Sequence, residues 1–133
     1  HGKVVAINAQ GRNDLIRLEL AEGLCLDAQI THDSTVHLEL QTGSQVVAMI
    51  KAGWLELLAS DQPATPGHNI LEGTIEVILD ADDGPSEVRI SLPNGHTLCA
   101  LAEPQDLRSR GLAVGQPVHV RFSPSNVLIG TSL

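Results

Sequence analysis

The polar side chains whose spacing suggests chemistry lie in the stretch QITHDSTVHLELQTGSQVVAMIKAG, residues 29 to 53. Thr31 and Ser34 stand at the head of a short helical pattern, and Lys51 ends the apolar strand that follows. The pattern predicts Thr31 at or near a helix N-cap and Ser34 in the following turn. Hydroxyls, backbone N–H groups and one ammonium group are donors that suit a small tetrahedral dianion. These residues form a candidate anion site, with plain capping and a solvated lysine as the alternative.

The elements that must position these groups are strands. Apolar and polar residues alternate with a period of two along most of the chain, which predicts an all-β fold with short turns. The segment IRLELAEGLCLDAQI reads as a hairpin that turns at Glu22-Gly23. The segment VRISLPNGHTLCALA repeats this design with a turn at Asn94-Gly95, a dipeptide that suits tight hairpins.

The two hairpins belong to a longer internal repeat. HGKVVAI corresponds to EGTIEVI, LQTGSQVVAMI to LAVGQPVHVRF, and GWLELL to SNVLIG. The sequence therefore predicts two repeats, residues 1–60 and 69–133, joined by a Pro- and Gly-rich linker at 61–68. Each has about five short strands and a helical turn, which fits a small barrel of the OB type. A repeat of this size buries little core, so the repeats should pack on one another or on a second chain.

The repeats differ at the polar positions of the candidate site. The corresponding pairs are Thr31 with Glu103, Ser34 with Asp106, and Lys51 with Ser123. The second copy thus has carboxylates where the first has hydroxyls, and a hydroxyl where the first has an ammonium group. An anion is favoured in the first repeat and repelled at the equivalent place in the second.

Composition excludes several classes of function. The net charge of −8, with only eight Lys and Arg, argues against a nucleic-acid surface, and 2% aromatic residues leave few stacking platforms. No apolar run is long enough to span a membrane and no secretory signal is visible, so a cytoplasmic location is predicted. Cys25 and Cys99 are expected to be reduced thiols in or near the core.

With QITHDS followed by VVAMIKAGW inside a doubled unit, the chain resembles the paired molybdate-binding Mop domains, in particular those of molybdate-responsive transcriptional regulators. LPNGHTLCA, GTI and SNVLIG carry the likeness in the second half, and the resemblance covers essentially the whole chain. It implies two tandem OB-like barrels that form a homo-oligomer, expected to be a dimer. Molybdate or tungstate would be held at subunit interfaces.

The resemblance also assigns roles to individual residues. Thr31 and Ser34 would be hydroxyl ligands of the oxyanion, and Lys51 its charged partner, with Asp33 and Ala52 as neighbouring candidates. The lysine would reach the turn of its own barrel or the turn of a partner subunit.

Members of the family usually begin each repeat with Ser-Ala-Arg-Asn, whose Ser and Arg complete the pocket. The first such segment would fall just before His1, and the second reads Pro-Gly-His-Asn, residues 66 to 69. His68 therefore occupies the arginine position, where it would be a weaker and pH-dependent donor. Whether the segment before His1 completes the site is left open.

These features favour an oxyanion-sensing module of a transcriptional regulator, in which an attached domain, and not this chain, would contact DNA. A free molybdate store and the regulatory tail of a molybdate transporter ATPase are the alternatives. An enzyme is not expected, because the six histidines form no H-E-x-x-H motif and the chain has no C-x-x-C or nucleophile-elbow spacing. No catalytic residue and no cation site is predicted.

Overall fold

A computed structural model describes residues 1–60, 66–93 and 95–131. These residues form strands and two short helices. The strands are β1 Gly2–Gln10, β2 Asn13–Ala21, β3 Leu24–Thr31, β4 Gln45–Met49, β5 Glu56–Ala59, β6 Asn69–Leu79, β7 Ser86–Ser91, β8 Thr97–Ala102, β9 Pro117–Phe122 and β10 Leu128–Thr131. The helices are α1 His32–His37 and α2 Pro104–Ser109, and 3₁₀ turns form at Ala52–Trp54 and Pro124–Asn126. The predicted turn residue Asn94 and linker residues 61–65 lie outside the described residues.

The chain divides into two compact units. The first unit comprises His1–Ile50 and the final segment from Ser123, and the second unit comprises Lys51–Phe122. Each contains a five-stranded antiparallel sheet, with strand order β10-β4-β1-β2-β3 in the first unit and β5-β9-β6-β7-β8 in the second. The prediction of an all-β fold with two small OB-like barrels is confirmed.

The compact units do not coincide with the sequence repeats, whose predicted boundaries were 1–60 and 69–133. β10 belongs to the second repeat but pairs with β4, with Ile129 opposite Ala48. β5 belongs to the first repeat but pairs with β9, with Leu58 opposite His119. Each unit therefore takes its last strand from the other repeat, and each exchanged strand directly follows a 3₁₀ turn.

Period-2 alternation determines which side chains are buried. In the first unit the inward positions include Val4, Ile16, Leu18 and Val46, all at most 1% exposed. In the second unit they include Val88, Ile90, Val120 and Phe122, within the same limit. Because successive strand residues point to opposite faces, the polar residues between these positions lie outward.

The first hairpin forms as predicted, but the cysteine on it is not buried as predicted. Ala21 pairs with Leu24, which leaves Glu22-Gly23 as a two-residue turn with φ +78° at the glycine. Cys25 and Cys99 are free thiols, but both are exposed. The prediction that they lie in or near the core is wrong, because strand alternation turns Leu26 and Ala100 inward instead.

The helices begin at the predicted positions. Thr31 is the N-cap of α1, where its side-chain oxygen accepts a hydrogen bond from the Ser34 N–H, so that prediction is confirmed. Glu103, the corresponding residue, is the N-cap of α2 and makes no such side-chain bond. Within the described parts of the chain, no helix is long and apolar enough to cross a membrane.

Candidate anion-binding site

A groove of about 420 Å³ lies in the first unit between β3 and β10, the two ends of its strand order. The residues that line it are uncharged: Asn13, Gln29, Ile30, Thr31, Ser34, Leu38, Ser125, Val127, Leu128 and Ile129. Half of them are apolar, and the polar half consists of the hydroxyl residues Thr31, Ser34 and Ser125 and the amides Asn13 and Gln29. An anion in this groove would meet hydrogen-bond donors and no carboxylate.

Thr31 and Ser34 form a coupled hydroxyl pair at this groove. The Ser34 N–H donates to Thr31 Oγ1 at 3.1 Å, and Thr31 Oγ1 lies 2.8 Å from Ser34 Oγ. Whichever hydroxyl donates to the other, one O–H hydrogen remains free for a ligand. The N–H bond to Thr31 polarises the pair, which makes the remaining hydrogen a better donor.

A second hydroxyl pair lies in the same unit. The Ser125 N–H donates to Ser123 Oγ at 3.3 Å, and the two hydroxyl oxygens are 2.8 Å apart. Ser123 caps the 3₁₀ turn Pro124–Asn126, and this turn contacts β3. In the sequence, Ser123 is only the counterpart of Lys51 in the other repeat. Sequence reasoning does not find Ser125, because its place in the groove with Thr31 depends on the strand exchange.

A buried carboxylate lies beneath α1. Asp14 on β2 is 1% exposed, and its Oδ2 lies 2.9 Å from His32 Nδ1. A hydrogen bond from the Thr35 side chain, and then the bond from His32, hold the pKa of Asp14 below its ordinary value. The carboxylate therefore stays ionised and binds two residues of the helix that carries Ser34.

The equivalent groove in the second unit is smaller and charged. Its volume is about 160 Å³, and it is lined by Glu56, Asp106 and Arg110 among apolar residues. Arg110 Nη1 donates a hydrogen bond to the Leu57 carbonyl on β5, so its side chain bridges the two sides of this groove. Two carboxylates and an occupied guanidinium make this groove unsuitable for a dianion.

The other predicted residues are distributed over both units. Asp33 lies exposed in the first turn of α1. Lys51 and Ala52 belong to the second unit, where Lys51 is exposed and its Nζ lies 5.0 Å from the centre of the Trp54 ring. His68 is exposed in the same unit, with Nδ1 3.4 Å from the Pro66 carbonyl oxygen.

Lys51 and the turn from Thr31 to Ser34 belong to different compact units. Thr31 and Ser34 are part of the first unit, and the strand end beside them there is Ser123–Asn126 of the second repeat. Lys51 occupies the corresponding position in the second unit, as the N-cap of the turn Ala52–Trp54. That Lys51 reaches the turn from Thr31 to Ser34 of its own chain, or that of a partner subunit, stays a prediction.

The side chains that could bind a metal cation are not clustered in the described residues. In residues 1–60, 66–93 and 95–131, no group of three or more His, Cys, Asp or Glu side chains is placed to hold a metal ion. His32 is the histidine nearest the hydroxyl pair in sequence, and its Nδ1 already bonds Asp14.

The model of the TOBE domain family matches the chain twice, over residues 1–57 and 65–129. The chain belongs to the TOBE domain family. The two matches confirm the internal repeat, and the resemblance to paired molybdate-binding domains is confirmed with it.

Several known proteins are similar along nearly the whole chain. The transcriptional regulator ModE of Yersinia pestis is 32% identical over 131 residues, which cover 98% of this chain and 49% of that protein. The molybdenum-pterin-binding protein MopA of Rhodobacter capsulatus is 31% identical, with 93% of this chain and 45% of that protein covered. The TOBE chain therefore spans about half the length of these curated relatives.

A solved structure extends the likeness to three dimensions. The cytoplasmic molybdate-binding protein ModG, in a crystal form with molybdate bound, superimposes with a TM-score of 0.91 at 29% identity. The match covers 98% of the TOBE chain and 93% of that chain. The relatives are named as regulators and binding proteins, not as enzymes.

Proposed function

We propose that this chain binds molybdate or tungstate at the groove of the first unit, with Thr31 and Ser34 as hydroxyl ligands. The observation that carries the proposal is the Thr31–Ser34 hydroxyl pair, 2.8 Å apart at the edge of an uncharged groove. Relatives that match nearly the whole chain are named for molybdenum or molybdate. Ser125 supplies a further hydroxyl on the opposite side of the same groove.

The donor set suits a tetrahedral oxyanion. Each of its oxygens accepts hydrogen bonds, and hydroxyl donors in a largely apolar groove replace part of the hydration shell. Hydroxyl groups carry no formal charge, so the groove alone leaves the dianion uncompensated. A cation is therefore needed, and Lys51 is our candidate.

Lys51 must reach the ligand from outside the first unit, because it belongs to the second. We propose that a second copy of the chain supplies it, so that the ligand lies at a subunit interface of a homodimer. Lys51 is exposed and held over Trp54, and it forms no ion pair with another residue that the structure describes, which leaves its charge available. Asp33 and Ala52 adjoin the ligand residues, and His68 is a weaker candidate donor.

The proposed role is that of an oxyanion sensor in a cytoplasmic transcriptional regulator. The chain carries a net charge of −8, which disfavours contact with DNA, so an attached DNA-binding domain would read the dimer arrangement. The ModE similarity supports this role, because the TOBE chain matches about half of that regulator.

Free molybdate storage is the second candidate, and a specific observation favours it. The ModG chain is 93% covered by this chain, so a protein made of little more than these two units has the same fold. In such a protein the same groove would buffer molybdate rather than signal it. The regulatory tail of a transporter ATPase stays a prediction from the sequence resemblance.

Isothermal titration with molybdate, tungstate and sulfate tests the ligand. We expect molybdate and tungstate to bind and sulfate to be rejected. Thr31→Val should weaken molybdate binding by at least about tenfold, because one hydrogen bond to a charged group is worth roughly 1.5–3 kcal/mol. Thr97→Val, the same change at an exposed position of β8, should leave binding unchanged.

Two results would contradict the proposal. Absence of molybdate binding would contradict the assignment of the ligand. Equal losses of molybdate affinity in Thr31→Val and Thr97→Val would contradict the assignment of the site to this groove. Sedimentation velocity then tests the interface. Because the ligand would contact two copies of the chain, molybdate should favour the dimer, whether the chain serves as a sensor or as a store.

A further inference from the structure

The Asp14 carboxylate contacts the helix that carries Ser34 at two points. Its Oδ2 lies 2.9 Å from Nδ1 of His32, one residue after the N-cap, and the side chain of Thr35, one residue after Ser34, lowers its pKa. The Thr35 hydroxyl also lies 3.4 Å from the Thr31 carbonyl oxygen. Each hydroxyl residue of the pair is thus followed in the chain by a residue that interacts with the buried Asp14.

We propose that Asp14 is a positioning residue, which holds the turn from Thr31 to Ser34 in the arrangement that an oxyanion meets. This inference rests on the proposed function for its ligand, and on the geometry of α1 for its mechanism. Asp14 would thus support the site without touching the oxyanion, which the hydroxyl groups of Thr31 and Ser34 bind.

The helix needs such an anchor because it is very short. α1 has six residues, and isolated helices of this length are unstable in water. Asp14 is almost fully buried, so its carboxylate requires donors, and His32 and Thr35 supply them. Loss of these bonds would leave the buried carboxylate without donors and would destabilise α1.

The second unit lacks this arrangement at the equivalent positions. Ser86 stands where Asp14 does in the first unit, and its hydroxyl donates to Asp80 at 2.7 Å rather than to α2. Pro104 and Leu107 stand where His32 and Thr35 do, and Leu107 is buried. The helix without ligand hydroxyls is thus held by apolar packing, and the helix with them by a carboxylate.

The test compares three variants of the full chain. His32→Ala removes one anchor bond, whereas His32→Asn keeps an N–H donor close to the position of Nδ1. His37→Ala removes another exposed histidine of α1 and is the control. Molybdate affinity is measured by isothermal titration, and NMR hydrogen exchange follows the Ser34 and Leu38 amides, which bond Thr31 Oγ1 and the Ser34 carbonyl.

We expect His32→Ala to weaken molybdate binding about tenfold and to speed exchange of both amides about tenfold, as for the loss of one net hydrogen bond of about 1.4 kcal/mol. His32→Asn should return both to within about twofold of the unmodified chain, which a packing role for the imidazole would not allow. His37→Ala should change neither.

The outcomes separate this inference from the proposed function. Molybdate binding by the unmodified chain with no change in His32→Ala would overturn the positioning role and leave the ligand intact. If the unmodified chain does not bind molybdate, the proposed function fails, and the exchange data alone decide whether Asp14 holds the turn. Unchanged exchange in His32→Ala would overturn the anchor in either case.

Discussion

Thr31 has two tasks, since its oxygen caps α1 and its hydroxyl group belongs to the donor pair at the groove. The capping bond from the Ser34 N–H uses one lone pair of Thr31 Oγ1, and the contact with Ser34 Oγ uses another site on the same atom. Loss of the cap alone typically costs about 1 kcal/mol of stability. Binding experiments with Thr31 variants should therefore be done far below the unfolding temperature.

Asp14 should make the stability of the chain depend on pH. Its pKa is lower in the folded chain than in the unfolded chain, because Thr35 and His32 stabilise the carboxylate. That contribution is fully present above the ordinary pKa of an aspartate, and it is lost as the pH falls through the lowered folded value. Urea unfolding between about pH 7 and about pH 3 should show a smaller loss of stability in Asp14→Asn than in the unmodified chain.

Asp80→Asn is the matched control for that measurement, since Asp80 accepts a hydrogen bond from Ser86 in the second unit. An identical pH dependence in Asp14→Asn and the unmodified chain would show that the carboxylate contributes nothing across this range.

For individual residues, the sequence predicted the roles that depend on hydrogen bonds between close neighbours in the chain. Thr31 and Ser34 could be assigned to a cap because a helix start leaves its N–H groups without partners. Asp14 could not be assigned, since its burial depends on the contact between β2 and α1. Ser125 could not be assigned either, because its neighbours in the groove are distant from it in the sequence.

Strands 5 and 10 are the elements that deviate most from the repeat. The sequence predicted five strands in each repeat, and alternation identified their inward faces. It could not predict which barrel each last strand completes, because β5 and β10 occupy corresponding positions in the two repeats and alternation does not specify the sheet that a strand joins. The direction taken by the chain after each 3₁₀ turn decides this.

Paired prolines in β10 test the exchange. Adjacent strand residues point their N–H groups in opposite directions, so Leu128→Pro with Ile129→Pro must remove at least one bond to β4. Hydrogen exchange should accelerate in β4 of the first repeat. Leu57→Pro with Leu58→Pro should instead accelerate exchange in β9. Faster exchange in β9 after the β10 change would contradict the observed pairing.

For the molecule as a whole, the exchange separates the ligand groups. Each unit combines the helix of one repeat with the 3₁₀ turn of the other. The helix α1, which carries Ser34, is therefore in the same unit as Ser123. Lys51 is in the same unit as the carboxylates Glu103 and Asp106. No single unit contains the full donor set that the sequence suggested, which is the reason for placing the ligand between copies.

Mixing two inactive variants tests whether the ligand lies between copies. Thr31→Val and Lys51→Met should each bind molybdate poorly alone. If Thr31 of one copy acts with Lys51 of another, a mixed dimer has one intact site, and random mixing should restore about a quarter of the capacity. Lys3→Met, which changes the other lysine of the chain, serves as the control and should bind fully. No recovery on mixing would contradict a site shared between copies.

The exchanged strands also set the order in which the units are completed during synthesis. The second unit is continuous from Lys51 to Phe122, so all its strands are present once β9 leaves the ribosome. The first unit begins earlier in the chain but still lacks β10, and β4 keeps an open edge until β10 emerges. Of the two units, the one that begins earlier in the chain is therefore completed later, and the groove with Thr31 forms only after β10 has been made.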